Sequence, residues 1–250
     1  MAENSKIEWT DATWNPWIGC VKVSPGCKNC YAETWANRYP RWANTWGPQG
    51  KRVKTSDANW KKPFAWDRKA EQEGRRYKVF CGSLCDICEY KDDQPELDDW
   101  RGDLFGVIDQ TPYLDWLLLT KRPEDAPYAV PAWDNVWWGT SVENQEQADK
   151  RIPALLKIPA RVRFLSCEPL LGPIDLGFPM ISDSAWLTDQ MVDWVIVGGE
   201  SGPNRRPIDL DWARSIRDQC QAAGVPFFMK QIDKVQPIPS DLMIREFPGG

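Results

Sequence analysis

The chain contains no histidine, and that single absence removes Ser-His and Cys-His nucleophilic pairs, mixed Cys/His zinc sites and imidazole acid-base catalysis. Proton transfer then falls to Asp, Glu, Lys, Tyr, Cys or water. Long apolar runs are missing too: no stretch approaches the roughly 18 residues of a membrane span. The opening MAENSKIEW lacks the apolar core of a signal peptide, so a cytoplasmic protein with no membrane partner is expected. Disorder is not the default, because 42% hydrophobic and 27% charged residues are the proportions of a globular domain. A chain of 250 residues can bury one full core, and a single domain over 1–250 is expected.

What is present in quantity is cysteine. Six of the eight fall into two triads: Cys20, Cys27 and Cys30 (C-x6-C-x2-C), then Cys81, Cys85 and Cys88 (C-x3-C-x2-C). In a reducing compartment such groups read as metal ligands before disulfides. Three thiolates cannot close a tetrahedral structural zinc site, whereas a 4Fe-4S cluster held by three cysteines keeps one iron open for a ligand. Cys167 and Cys220 stand alone and read as packing residues.

Net charge is −5 but uneven: residues 38–78 carry twelve Lys/Arg against four acids, leaving about −13 on the remainder. Tyr39, Trp42, Trp46, Trp60, Phe64, Trp66 and Tyr77 interleave with those cations. Such a mixture suits phosphate contact with base stacking, and equally a solvated basic face over packed tryptophans.

Short apolar runs alternate with amphipathic stretches, the pattern of repeated β-α units round a parallel sheet. Strands are expected at 77–82, 115–120, 135–140, 161–166, 193–198 and 226–230. A first strand is expected within 7–18, and the tail offers an eighth. Helices are expected at 97–110, 144–157 and 210–223, with Pro153 bending or breaking the second. The strand ends are polar, and in β/α barrels the active site forms at the carboxyl ends of the strands. The expectation is an α/β fold: a full or partial TIM-like (β/α) barrel with both triads at its C-terminal face, against an open doubly wound sheet as the competitor. The charged, tryptophan-rich stretch at about 40–75 is too long for an ordinary βα loop and reads as a lid or substrate-binding insertion.

A three-cysteine loop leaving the first barrel strand resembles the cluster loop of radical S-adenosylmethionine enzymes. The chain also resembles a phage and prophage family sharing a three-cysteine motif. The elements carrying that likeness are IEWTDATWNPWIGCVKVSPGCKNCYAE at 7–33, LLLTKRP at 117–123, WWGTSVEN at 137–144, FLSCEPLLGPI at 164–174, VIVGGESG at 195–202 and FFMKQ at 227–231. The resemblance implies a 4Fe-4S cluster on Cys20, Cys27 and Cys30, with S-adenosylmethionine on the open iron. A flavodoxin- or ferredoxin-type donor supplies an electron, and a 5'-deoxyadenosyl radical then abstracts hydrogen from a substrate. It also implies a host-cytoplasmic location if the gene is a phage's, and an isomerase, lyase or transferase outcome on a modified nucleotide in phage DNA.

By strand position, Ser141, Glu143 and Asn144 are candidates for ribose hydroxyls, and Ser83, Lys121 or Glu168 for the methionine end or the substrate. Lys121, Glu168, Glu200 and Lys230 are the catalytic candidates, because charges at strand ends otherwise meet a desolvation cost. Tyr31, Thr140, Gly198 and Gly199 complete the cofactor-binding set. The Gly-Gly-Glu at 198–200 follows a late strand here, where the superfamily has it on the second. The first triad is also longer than the superfamily's usual C-x3-C-x2-C. The second triad matches that spacing and stays open between catalytic site, auxiliary cluster and buried thiols.

Two other functions compete. One is a non-catalytic metal-stabilised nucleic-acid-binding protein with six zinc-bound cysteines. The other is a two-cluster electron-transfer protein, in which the polar strand ends have no role.

Overall fold

The computed structural model describes residues 5, 7–126, 133–178 and 191–249. In chain order the strands are β1 (Ala12–Trp14), β2 (Trp17–Ile18), β3 (Val53–Lys54), β4 (Tyr77–Cys81), β5 (Leu114–Thr120), β6 (Val136–Ser141), β7 (Val162–Cys167), β8 (Trp194–Gly198) and β9 (Phe227–Gln231). Seven of them form one parallel sheet in the order β1-β4-β5-β6-β7-β8-β9, while β2 and β3 make a small antiparallel pair. The helices are α1 (Tyr31–Ala36), α2 (Asp57–Trp60), α3 (Lys62–Glu73), α4 (Glu96–Asp109), α5 (Gln145–Leu155) and α6 (Leu210–Ala223).

Both faces of the sheet are apolar, which is why its strands read as unbroken hydrophobic runs. Side chains alternate along each strand. Val79, Trp116, Trp138, Leu165, Val195 and Phe227 pack with Trp66, Leu104, Ala148 and Ile216 of the helices. Phe80, Leu117, Trp137, Phe164, Trp194 and Phe228 form a second cluster on the opposite face, with Trp9 among them. The Trp9 ring lies 4.8 Å from Phe80 in β4 and 6.1 Å from Trp194 in β8. Those strands are four positions apart, so a flat sheet would separate them by about 19 Å. The sheet therefore curls into a half-barrel whose inner face closes round Trp9.

Three expectations change. The tail supplies no parallel eighth strand among the described residues; it meets β9 antiparallel through an isolated bridge between Phe228 and Arg245. Pro237, Pro239 and Pro248 near that bridge lack the N–H groups a longer ladder requires. Pro153 does not break α5, because it falls in the last turn and the helix ends two residues later. The stretch at 40–75 is not one insertion standing over the site. Its second half is α2 and α3, and α3 buries Trp66 and Ala70 in the layer between helices and sheet, as the crossover from β1 to β4 requires. Its cations also disperse: Arg52 is buried against Glu89, Lys54 pairs with Asp103 and Arg75 with Asp11.

Candidate functional site

A cavity of about 290 Å³ opens at the carboxyl ends of the parallel strands. Its floor is Ile7, Trp9, Phe80 and Leu119, the upper end of the inner apolar cluster. Its wall carries Cys20, Cys27 and Cys30, all half-buried, on the loop that follows β2. Five later segments hold that loop. Gly19 N–H donates to the Leu84 carbonyl (3.0 Å) and Gly47 N–H to the Cys20 carbonyl (2.9 Å). Arg122 Nη2 donates to the Val21 carbonyl (2.9 Å) and Gly26 N–H to Glu143 Oε1 (3.0 Å). From the loop after β8, Arg206 Nη1 donates to the Pro25 carbonyl (3.1 Å), while Asn29 Nδ2 donates to Glu200 Oε2 (2.8 Å). Gly19 lies at φ 117°, in the region that favours glycine, and a Cβ there would overlap the Thr45 carbonyl oxygen.

The remaining polar wall comes from strand ends. Lys121 follows β5, Ser141 ends β6, Ser166 lies in β7 and Glu168 follows it, Gly199, Glu200 and Ser201 follow β8, and Lys230 lies in β9. Tyr31 and Ser83 also line the cavity, and the Tyr31 hydroxyl donates to the Ser83 carbonyl (2.9 Å). Lys230 Nζ lies 2.7 and 2.6 Å from the two oxygens of Glu168. Glu200 is clamped by Arg206 at 2.6 Å. Burial works against its ionised form, but hydrogen bonds from Arg206 and Asn29 outweigh it and hold the carboxyl below its usual range.

Other candidates lie outside the cavity wall. Thr140 alternates onto the helix side, and its hydroxyl donates to the Thr120 carbonyl (3.0 Å). Glu143 is fully buried and bound by Arg151 Nη1 at 2.9 Å. Burial opposes its charge, yet Lys121, Ser24 and Arg151 keep its carboxyl below the usual range. Asn144 caps α5 by accepting from Gln147 N–H (3.1 Å). These two secure backbone rather than face the cavity. Gly198 abuts the Glu168 side chain.

In the second triad only Cys85 reaches the cavity, while Cys81 and Cys88 are fully buried in the main core. Burial pushes the thiols of all three up. Sequence reasoning counted Ser166 among the polar strand ends but not among the site candidates, although the alternation from Phe164 to Ser166 to Glu168 marks one inward column. It counted Arg122 only among the polar strand ends, and it overlooked Asp86 and Trp9, for which no local signal exists.

No group of three or more His, Cys, Asp or Glu stands at metal-ligating spacing among the described residues. The thiols of Cys20, Cys27 and Cys30 nonetheless line one cavity from a single loop, a donor set that would suit a three-thiol cluster. Each carboxylate lining the cavity is already engaged: Asp86 by Arg122, Glu168 by Lys230 and Glu200 by Arg206. A tetrahedral zinc would need one of them, or the buried Cys85 that also lines the cavity, as a fourth ligand. The indole N–H of Trp9, like those of Trp17, Trp60, Trp137 and Trp138, is buried with no acceptor among the described residues.

Fold and site together define a parallel α/β half-barrel with a cysteine-walled cavity at its carboxyl end. The chain belongs to the family described as a protein of unknown function, DUF5131, whose profile matches residues 4–242. No curated protein and no solved structure matches it.

Proposed function

We propose that the protein is a radical S-adenosylmethionine enzyme on a partial TIM-like barrel, with a 4Fe-4S cluster held by Cys20, Cys27 and Cys30. The observation that carries this reading is that three half-buried thiols of one loop, with the buried Cys85 beside them, line one cavity at the carboxyl ends of parallel strands. Such a cluster with S-adenosylmethionine supplies hydrogen-atom abstraction from an unactivated carbon.

The chain's own residues bind, orient and exclude water. Trp9, Phe80, Leu119 and Ile7 give the reaction a dry floor. Lys121 offers a cation to a carboxylate or phosphate, and the hydroxyls of Ser83, Ser141, Ser166 and Ser201 offer hydrogen bonds to a ribose or a substrate. Lys230 and Glu168 present a paired donor and acceptor. Glu200 acts through Asn29 and Arg206, fixing the cysteine loop. The reading needs a flavodoxin- or ferredoxin-type electron donor, and the outcome is an isomerisation, a lyase step or a transfer.

A nucleotide in DNA is the substrate class we favour. Beside the cysteine loop, the Trp35 ring lies 4.8 Å from Trp42 and 5.0 Å from Tyr39, and the Arg41 guanidinium sits 3.9 Å over Trp42. Tyr39 is 44% exposed, which leaves a ring available to a base. A base in duplex DNA would have to be flipped out to reach the cavity.

The test is anaerobic reconstitution with iron and sulfide, reduction, and assay of 5'-deoxyadenosine formed from S-adenosylmethionine. Cys20→Ala, Cys27→Ala and Cys30→Ala should each abolish it, while Cys81→Ala and Cys88→Ala retain cluster and product. Stoichiometric zinc that survives reconstitution, with no deoxyadenosine, overturns the proposal in favour of a zinc-stabilised nucleic-acid-binding protein.

A further inference from the structure

The second cysteine motif, CGSLCDICE at 81–89, brings only Cys85 to the cavity, with Cys81 and Cys88 in the core. Its acids are a different matter. Asp86 and Glu89 are both buried, and each faces an arginine of another segment. Asp86 Oδ2 lies 2.7 Å from Arg122 Nη1 and also accepts from Lys121 N–H (3.0 Å). Its Oδ1 accepts from the Thr120 hydroxyl (2.6 Å) and Cys88 N–H (3.1 Å). So fixed, the Arg122 guanidinium donates through Nη2 to the Val21 carbonyl (2.9 Å) and holds Nη1 3.8 Å from Cys20 Sγ. Glu89 grips Arg52, which donates to the carbonyls of Thr45, Gly47 and Gly50. Gly47 N–H in turn donates to the Cys20 carbonyl.

Resting on the cluster reading above, we propose that Arg122, anchored by Asp86, is a positioning residue for Cys20, and that its charge sets the reduction potential of a cluster held there. The motif thereby serves as a template for the first cysteine loop instead of a second ligand set. The physical basis is that an N–H directed at a ligating sulfur, with a positive charge beside it, stabilises the more negative, reduced state. Buried in a low dielectric and held through Nη1 by Asp86 and through Nη2 by the Val21 carbonyl, this guanidinium is screened little by salt.

Two substitutions give opposite signs. Arg122→Gln removes the cation and leaves Asp86, so the midpoint potential of the reconstituted cluster should fall. A tenfold loss in the reduced-to-oxidised ratio at fixed potential corresponds to roughly 59 mV for one electron. Asp86→Asn removes the anion and leaves the cation, so the potential should rise. Arg122→Lys keeps the charge without the fork and should stay near the parent value. In the metal-free protein, Arg122→Gln and Arg122→Lys should both speed amide hydrogen exchange at Gly19 and Gly47, whose N–H groups donate to the Leu84 and Cys20 carbonyls, while leaving β4 to β9 unchanged.

A merely structural arginine moves exchange but not potential. If Arg122→Gln fails to fold, Asp86→Asn decides the sign by itself. Potentials unmoved, or moved in the same direction by both substitutions, overturn the charge assignment; unmoved exchange overturns the positioning. A parent protein that takes up no cluster defeats the proposed function, and the exchange arm still judges Arg122.

Discussion

At the residue scale, Gly26 shows how little room the cysteine loop has. A Cβ on Gly26 would lie 2.9 Å from Glu143 Cδ, and its N–H is the donor that Glu143 accepts. Gly26→Ala should therefore displace the loop between Cys20 and Cys27, lower stability by about 1–3 kcal/mol, and reduce iron uptake more than it reduces folding. Iron per chain after reconstitution, set beside a urea midpoint, separates the two effects. Normal iron content in Gly26→Ala would mean that the loop tolerates the shift. Glu143 is the instructive misplacement. As a polar residue after a strand it reads as a ligand contact, but Arg151 and Gly26 N–H hold it in the interior. Sequence displays which residue is charged; it does not display which neighbour has already taken the charge.

At the element scale, strand placement was legible and side-chain direction was only half read. The six later strands fall within one residue of the expected segments, since unbroken apolar runs ending in polar residues have few other solutions in a parallel sheet. Applying the two-residue period along β6 places Trp137, Gly139 and Ser141 on the inner side and Thr140 on the outer, so Thr140 was separable from the site without a structure. The connection holding Arg52 was not legible. Its partner Glu89 lies 37 residues away on another loop. Glu89→Gln leaves the buried Arg52 guanidinium without its counter-charge, and the expected cost is about 3–5 kcal/mol. Denaturant unfolding would measure it. A loss below about 1 kcal/mol would show that the pair is hydrated or rearranges. Because Arg52 gathers the 45–50 turn, which in turn binds Cys20, the same variant should loosen the loop locally before the sheet unfolds.

At the scale of the whole molecule, buried thiols make stability depend on alkaline pH. Cys81, Cys85, Cys88, Cys167 and Cys220 are all buried, and burial raises each thiol from its ordinary 9.0, Cys220 to about 12. Unfolding exposes them, and above pH 9 the unfolded chain sheds protons that the folded chain retains. The folded state then binds more protons, so stability falls as pH rises. The expected loss is about 1 kcal/mol per buried thiol by pH 10. Urea unfolding in reductant at pH 8 and pH 10 tests this, and a midpoint unchanged to pH 10 would contradict the burial of the five.

The sequence by itself determined the parallel strands, the helices between them, the exclusion of imidazole chemistry and the clustering of cysteines, because each is a local pattern of residue type and period. Only the tertiary structure decided that the sheet curls round Trp9, and that Cys20, Cys27 and Cys30 face a cavity while Cys81 and Cys88 face the core. It alone decided that Asp86, Glu168 and Glu200 are already paired. Those outcomes depend on which side chains from distant segments meet in a space of low dielectric, where an ion pair or a buried thiol is fixed by its neighbours in space and not by its neighbours in the chain.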